Sequence, residues 1–140
     1  MNRLGLTDGL VGIDTNVILR YLIRDDEAQF AAAAEVLEAC TPDKPGFLTA
    51  VNLAEIYWVL QRSYRLSREA SLSMIRRLLE VETLEFDDSE GIVQAVELAE
   101  NGADFADALI HATYLQFGVS EAVTFDRAAA RRLGWRLLEG

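Results

Sequence analysis

Leu10-Val-Gly-Ile-Asp-Thr-Asn-Val-Ile-Leu19 is the stretch on which the fold turns. Leu10–Ile13 is a short apolar run of the kind that forms a buried strand, and Asp14 follows it without a spacer. From Thr15 to Ile23 the apolar residues fall instead at helical spacing. Strand, carboxylate, helix is the opening of a β-α unit, and the same grammar repeats downstream.

Asp26–Cys40 is alanine-rich, with Phe30, Ala33, Val36 and Leu37 on one stripe, and predicts a helix. Both prolines lie in the loop Thr41-Pro-Asp-Lys-Pro-Gly46 that follows. Phe47-Leu48-Thr49 is a second strand candidate. Asn52–Tyr64 then carries the helical stripe Leu53, Ile56, Tyr57 and Leu60. Ser67 opens a further helix to Leu79, with Glu69 in its first turn. Thr83–Phe86 alternates like a strand, and Asp88 to Asn101 reads as a helix stopped by Asn101-Gly102. Ala103–Phe117 is another helix, ended by Gly118. Ala122–Phe125 is a fourth strand, Asp126–Leu133 a short helix and Trp135–Leu138 a last strand. Short apolar strands alternating with helices predict one α/β domain over residues 1–140. Its central, mostly parallel sheet of about five short strands is flanked by helices.

The composition agrees. With 140 residues, 51% hydrophobic and 26% charged, the chain has the proportions of one ordinary domain and no room for a second of full size. A lone Cys40 excludes an intramolecular disulfide and a cysteine zinc site. A lone His111 speaks against histidine-rich metal centres and a Ser-His-Asp triad. Met1–Leu10 holds no apolar run of signal-peptide length, and no stretch approaches the ~18 apolar residues of a membrane span. The expected setting is cytoplasmic, away from membranes.

A net charge of −10 argues against a generic basic nucleic-acid binder. Its distribution is uneven. Five of the thirteen Lys and Arg residues, Arg62, Arg65, Arg68, Arg76 and Arg77, crowd into one segment, where surface pairing with Glu69 and Glu80 is one use for them. Leu78–Asp126 contains no lysine or arginine and twelve acidic residues. An acidic surface can still handle a polyanion when divalent cations neutralise it at the contact.

Ligands of open α/β sheets bind beyond the carboxyl ends of the strands, and the acids gather at such positions. Asp14 follows the first strand, Asp126 follows the fourth, and Glu55 lies early in the helix leaving the second. Asp104 and Asp107 open the helix before the fourth strand and share a face that His111 continues. Each has a plain structural explanation: Asp14 and Asp126 are good N-caps, Asn52-Leu-Ala-Glu55 has the form of a capping box, and Asp104 and Asp107 suit a helix dipole. Jointly they predict a pocket too negative to persist without a counterion. With no lysine or arginine close in sequence to most of them, that counterion is a divalent metal, and oxygen-only ligands select Mg²⁺ or Mn²⁺. Such an ion suits phosphoryl chemistry with water as nucleophile.

Four segments resemble the motifs of PIN-domain ribonucleases: Gly12-Ile-Asp-Thr-Asn-Val-Ile-Leu19, Asn52-Leu-Ala-Glu55, Asp104-Phe-Ala-Asp-Ala-Leu-Ile110 and Val123-Thr-Phe-Asp-Arg127. Their order and spacing match from about Val11 to Leu138, and the Asp-Ala-Leu-Ile form is most similar to VapC-type toxins of toxin–antitoxin pairs. The resemblance implies a PIN-like fold and a Mg²⁺- or Mn²⁺-dependent endoribonuclease that leaves a 5′-phosphate. It implies that Asp14, Glu55, Asp107 and Asp126 are the acidic quartet holding the metal, with Asp104 as an additional acid. Thr15, Asn16 and Thr124 would orient carboxylates or water around it. It further implies a homodimer and a cognate VapB-type antitoxin whose basic tail occupies the acidic groove. Trp58, Tyr57 and Tyr64 suit core packing or partner contact. The competing readings are a catalytically silent PIN-like binding module, a nuclease acting on DNA, and a receiver-like phosphoacceptor. The last would want a lysine at the site, and the only lysine, Lys44, sits in the proline loop.

Overall fold

Val11–Gly12 (β1) pairs in parallel with Gly46–Leu48 (β2), which pairs in parallel with Leu84–Phe86 (β3) on its other side. This computed structural model describes residues 9–140, so the signal-peptide reading of Met1–Leu10 falls almost wholly outside the described residues. Two helices fill each crossover. Thr15–Leu22 (α1) and Glu27–Glu38 (α2) join β1 to β2, and Ala50–Arg62 (α3) and Arg68–Leu79 (α4) join β2 to β3. Ser89–Glu100 (α5) and Phe105–Gln116 (α6) follow and pack on each other. Val123–Thr124 (β4), Arg127–Leu133 (α7) and Arg136–Leu137 (β5) complete the chain.

The α/β class holds, but the single sheet of about five strands does not. Among the described residues β1–β3 form one sheet, while β4 and β5 form a separate two-stranded parallel ladder. The reason lies in what β4 offers: two residues, with Val123 half exposed. Its ladder is satisfied by β5, through Arg136 N–H to the Ala122 carbonyl at 2.8 Å and Leu138 N–H to the Thr124 carbonyl at 2.7 Å. So short and exposed a strand gains little apolar burial from joining the central sheet.

The middle strand is tight. A Cβ on Gly46 would lie 2.9 Å from Leu84 Cδ2 and 3.2 Å from Ile13 Cγ1, so a hydrogen here lets neighbours from both flanking strands close over β2. Around Leu48 the helices bury Ile18, Leu53, Ile56, Leu60, Ile75, Ile92 and Phe105. Phe105 opens α6 and meets the Tyr57 ring of α3 at 5.1 Å between centroids, tilted by 57°.

Helix starts follow their capping chemistry, with one exception. The side chains of Asp26, Thr49, Ser67, Asp88, Asp104 and Asp126 each accept a backbone N–H from the first turn of their helix. Asp14, at the N-cap of α1, does not. The capping box of α3 is also displaced from its expected place. Thr49 is the N-cap and Asn52 the reciprocating third residue, so Glu55 falls in the second turn and has no capping duty.

Candidate active site

Parallel pairing puts the carboxyl ends of β1, β2 and β3 on one edge of the sheet. Asp14 leaves β1 at this edge with extended backbone (φ −73°, ψ 151°), and its side chain is exposed and accepts no hydrogen bond among the described residues. The next residue reaches across to α3. Buried Thr15 donates its hydroxyl hydrogen to Glu55 Oε1 at 2.7 Å, while its oxygen accepts from Asn52 Nδ2 at 3.0 Å. Asn52 is fixed in turn, because its Oδ1 accepts from the Thr49 backbone and hydroxyl, both at 2.9 Å. With both ends of the carboxamide engaged, the Thr15 hydrogen has one acceptor left to it, the Glu55 carboxylate. Thr15 thus holds the Glu55 carboxylate by one hydrogen bond. Thr49 and Asn52 behind it were not anticipated, since a capping motif alone does not reveal that its amide also faces another helix.

A second acidic group forms where α6 and α7 begin. Asp104 Oδ2 accepts from the Asp107 N–H at 3.0 Å, as the N-cap of α6. Asp126 Oδ1 accepts from Ala128 N–H at 2.8 Å and Ala129 N–H at 3.1 Å, and Thr124 Oγ1 steadies it by accepting the Asp126 N–H at 2.9 Å. These two acids do cap their helices, as their plain structural explanation requires. Asp107 has no such duty, and its half-buried carboxylate has no hydrogen-bond donor among the described residues. Burial first, and then the negative charges of Asp104 and Asp126, push its carboxyl above the ordinary value. Acids from separate parts of the chain thus feel one another here. Asp107, not Asp104, has the uncommitted carboxylate.

This shift has a sign that can be tested. A carboxyl held above its unfolded value opposes folding when ionised. Its favourable contribution is complete below the unfolded pKa and is lost as pH rises through the folded one. Asp107→Asn is therefore expected to stabilise the metal-free chain at pH 7. Repulsion among partly exposed carboxylates is worth a few tenths to about 1 kcal/mol, or about 1–4 °C of melting temperature. Near pH 3 the gain should vanish. Thermal melts of both proteins in EDTA at the two pH values decide it, and a lower melting temperature for Asp107→Asn at pH 7 would refute the repulsion.

Other expected residues land elsewhere. Asn16 lines a shallow groove of about 290 Å³ between α1 and α2, beside Val17, Arg20, Ala33 and Val36. His111 is a packing histidine: its Nδ1 accepts the Trp135 indole N–H at 3.0 Å. The arginine cluster divides. Arg76 forms a two-point ion pair with Glu100, at 2.9 and 3.1 Å, rather than with Glu80, and Arg68 turns inward to backbone carbonyls. Arg62, Arg65 and Arg77 stay exposed. The Arg62 guanidinium lies 5.1 Å from the ring centre of Trp58, whose surface is 57% exposed, so this tryptophan is not the core residue its helix position allowed.

The exposed Asp14 carboxylate at the sheet edge, and the half-buried Asp107 carboxylate beside the charges of Asp104 and Asp126, suit an electropositive ligand or a polyanion bridged by one. The family model of the PIN domain matches residues 11–134, and the chain belongs to the PIN-domain family. No curated protein matches the sequence. Membership implies nuclease-type function acting on nucleic acid, and PIN domains are generally metal-dependent nucleases. It also sets aside the receiver-like reading. No helix among the described residues is long and apolar enough to cross a membrane.

The residues fit a divalent cation by chemistry. Their donors are hard oxygens, Asp14 and Asp107 have both carboxylate oxygens uncommitted among the described residues, and the neighbouring charges on Asp107 are what a cation would relieve. Among the described residues, however, no three such side chains are drawn together closely enough to hold an ion by themselves. The pocket expected from the sequence is thus represented by two groups of acids, Asp14 with Glu55 around Thr15 and Asp107 with Asp104 and Asp126, not by a closed cage.

Proposed function

We propose that the protein is a metal-dependent endoribonuclease, the toxin of a toxin–antitoxin pair. The observation that carries this reading is the half-buried Asp107 carboxylate, without a hydrogen-bond donor among the described residues and pushed upward by burial and by the charges of Asp104 and Asp126, in a chain that matches a nuclease family along most of its length. Asp14, Glu55, Asp107 and Asp126 would hold Mg²⁺ or Mn²⁺. When bound, such a cation supplies a more acidic water and neutralises charge on the scissile phosphate. The remaining work belongs to the chain. Thr15, itself held by Asn52, engages Glu55 by Oε1, and the α7 caps engage Asp126 by Oδ1, which among the described residues leaves the second oxygen of each for a ligand. Asp104 fixes the first turn of α6, from which Asp107 projects.

Arg62, Arg65 and Arg77 supply the phosphate contacts for RNA, and Arg62 stands seven residues beyond Glu55 on the same exposed face of α3. The acidic edge would also attract the basic tail of a VapB-type antitoxin, and the active species would be a homodimer. The deciding experiment incubates the purified chain with single-stranded RNA and single-stranded DNA, in Mn²⁺ or Mg²⁺ and in EDTA. RNA should be cut only with metal and DNA left intact. Preferential cutting of DNA would replace the ribonuclease reading with a DNA nuclease. Failure to cut either would leave a silent PIN-like binding module.

A further inference from the structure

We infer that Arg68 and Arg132 are positioning residues that clamp the turn between α5 and α6 and thereby set Asp104 and Asp107 against Asp126. The inference rests on the nuclease reading for its functional meaning. The turn is short, Asn101-Gly-Ala103, and Asp104 follows as the N-cap of α6. Arg68, the first residue of α4, is half buried, and its Nη2 donates both to the Ala99 carbonyl and, at 2.8 Å, to the Ala103 carbonyl. The same guanidinium sits beside the Tyr57 hydroxyl of α3. One cation therefore ties the last turn of α5 and the residue before Asp104 to the α3–α4 pair.

Arg132 holds the turn from the opposite side. It lies on α7, the short helix capped by Asp126, and its Nη1 donates to the Asn101 carbonyl at 3.2 Å. A Cβ built on Gly102 would lie 2.6 Å from Cζ, 2.8 Å from Nη1 and 2.9 Å from Nε of Arg132. Near-equal distances to three atoms of one plane place the guanidinium face-on over the glycine, at a spacing that any Cβ here would disturb by pushing the guanidinium aside. Gly102 also has φ +118°, a conformation that favours glycine on its own account.

Cations at a helix C-terminus are favourable in themselves, and that alone would make these two arginines ordinary. What distinguishes them is what they connect. Asp104 opens α6 and Asp126 opens α7, so the seat of the turn before α6 sets how the two helix starts lie against each other. Arg132 bridges α7 to the residue three before Asp104, and Arg68 prevents the turn from following α7 as a loose loop. The clamp thereby fixes the starts of α6 and α7 relative to each other before any cation binds.

The test compares Arg132→Gln, Arg68→Gln and Arg68→Lys with the wild type by thermal melting, Mn²⁺ affinity of the RNA-free protein by calorimetry, and kcat and KM on single-stranded RNA. Arg132 is exposed, so its variant should melt within about 2 °C of wild type. Both glutamine variants should lose about 10-fold or more in Mn²⁺ affinity and in kcat, with KM little changed. Arg68→Lys should recover most of the loss, because Arg68 serves both carbonyls with one nitrogen and an ammonium can do the same. Wild-type affinity and kcat in Arg132→Gln would overturn the inference. So would losses in both glutamine variants that merely track a fallen melting temperature. A wild type that binds Mn²⁺ without cutting RNA would end the nuclease reading, yet the affinity comparison would still decide the clamp. A wild type that binds no Mn²⁺ would overturn both.

Discussion

Asp14→Asn is expected to lower metal-dependent RNA cleavage by about 1,000-fold or more while leaving the melting temperature within about 1 °C, the rate loss corresponding to about 4 kcal/mol of barrier. The reasoning starts from capping. Every other N-cap side chain among the described helices accepts a backbone N–H, and a cap removed to alanine costs about 1 kcal/mol. Asp14 occupies the same position with the same extended backbone and makes no such bond. Its carboxylate therefore contributes nothing to α1 that asparagine would remove, and asparagine is in any case as good a cap. What the substitution removes is a negative charge at the carboxyl end of β1. Asp126→Ala gives the contrast: the same loss of cleavage should come with about 1 kcal/mol of destabilisation, because Asp126 caps α7 through two N–H groups. Cleavage rates and thermal melts of the two variants, run together, separate a ligand from a cap. Wild-type cleavage by Asp14→Asn in Mg²⁺ would end the assignment.

The features that could be read from the sequence were those written locally. Leu10–Asp14 announces a strand ending at a carboxylate, Ser67 announces a cap, and Asn101-Gly102 announces a stop, because each depends on a few adjacent residues and their backbone preferences. The division into two sheets could not be read so, since Ala122–Phe125 has the composition of a strand whichever partner it takes. The capping box of α3 misled for a similar reason. Asn52 and Glu55 have the right spacing, but Thr49, three residues earlier, competes for the same role with Asn52 as its partner and wins. The acids were legible as a set through their positions after strands and at helix starts, but not in their individual states. That Asp104 is spent on a cap while Asp107 is free is decided by where α6 begins, one residue after Asp104. Arg68 and Arg132 act on a turn about thirty residues away, at Ala99–Ala103 and Asn101, and nothing local to them signals it.

Phe105→Ala should cost about 3–5 kcal/mol, a large share of the ~5–15 kcal/mol that holds a domain of this kind together. Phe105 has no exposed surface and is the largest of the fully buried side chains, and its ring contact with Tyr57 adds to the area it removes from water. In urea the midpoint should fall by about 2 M, given slopes of ~1–3 kcal/mol/M for small domains. Its position gives the loss a second meaning. Phe105 stands between Asp104 and Asp107, so the ring that anchors α6 to α3 also fixes the height and rotation of the turn that presents the acids. Phe105→Leu keeps most of the volume and should cost under about 2 kcal/mol, leaving a folded protein at 25 °C. If the ring only fills space, Phe105→Leu will cut RNA at the wild-type rate. If it also aims the acids, kcat will fall several-fold in a chain that is still fully folded by its urea curve. The second result is the one expected, because α6 meets α3 through this side chain at the very turn that carries both carboxylates.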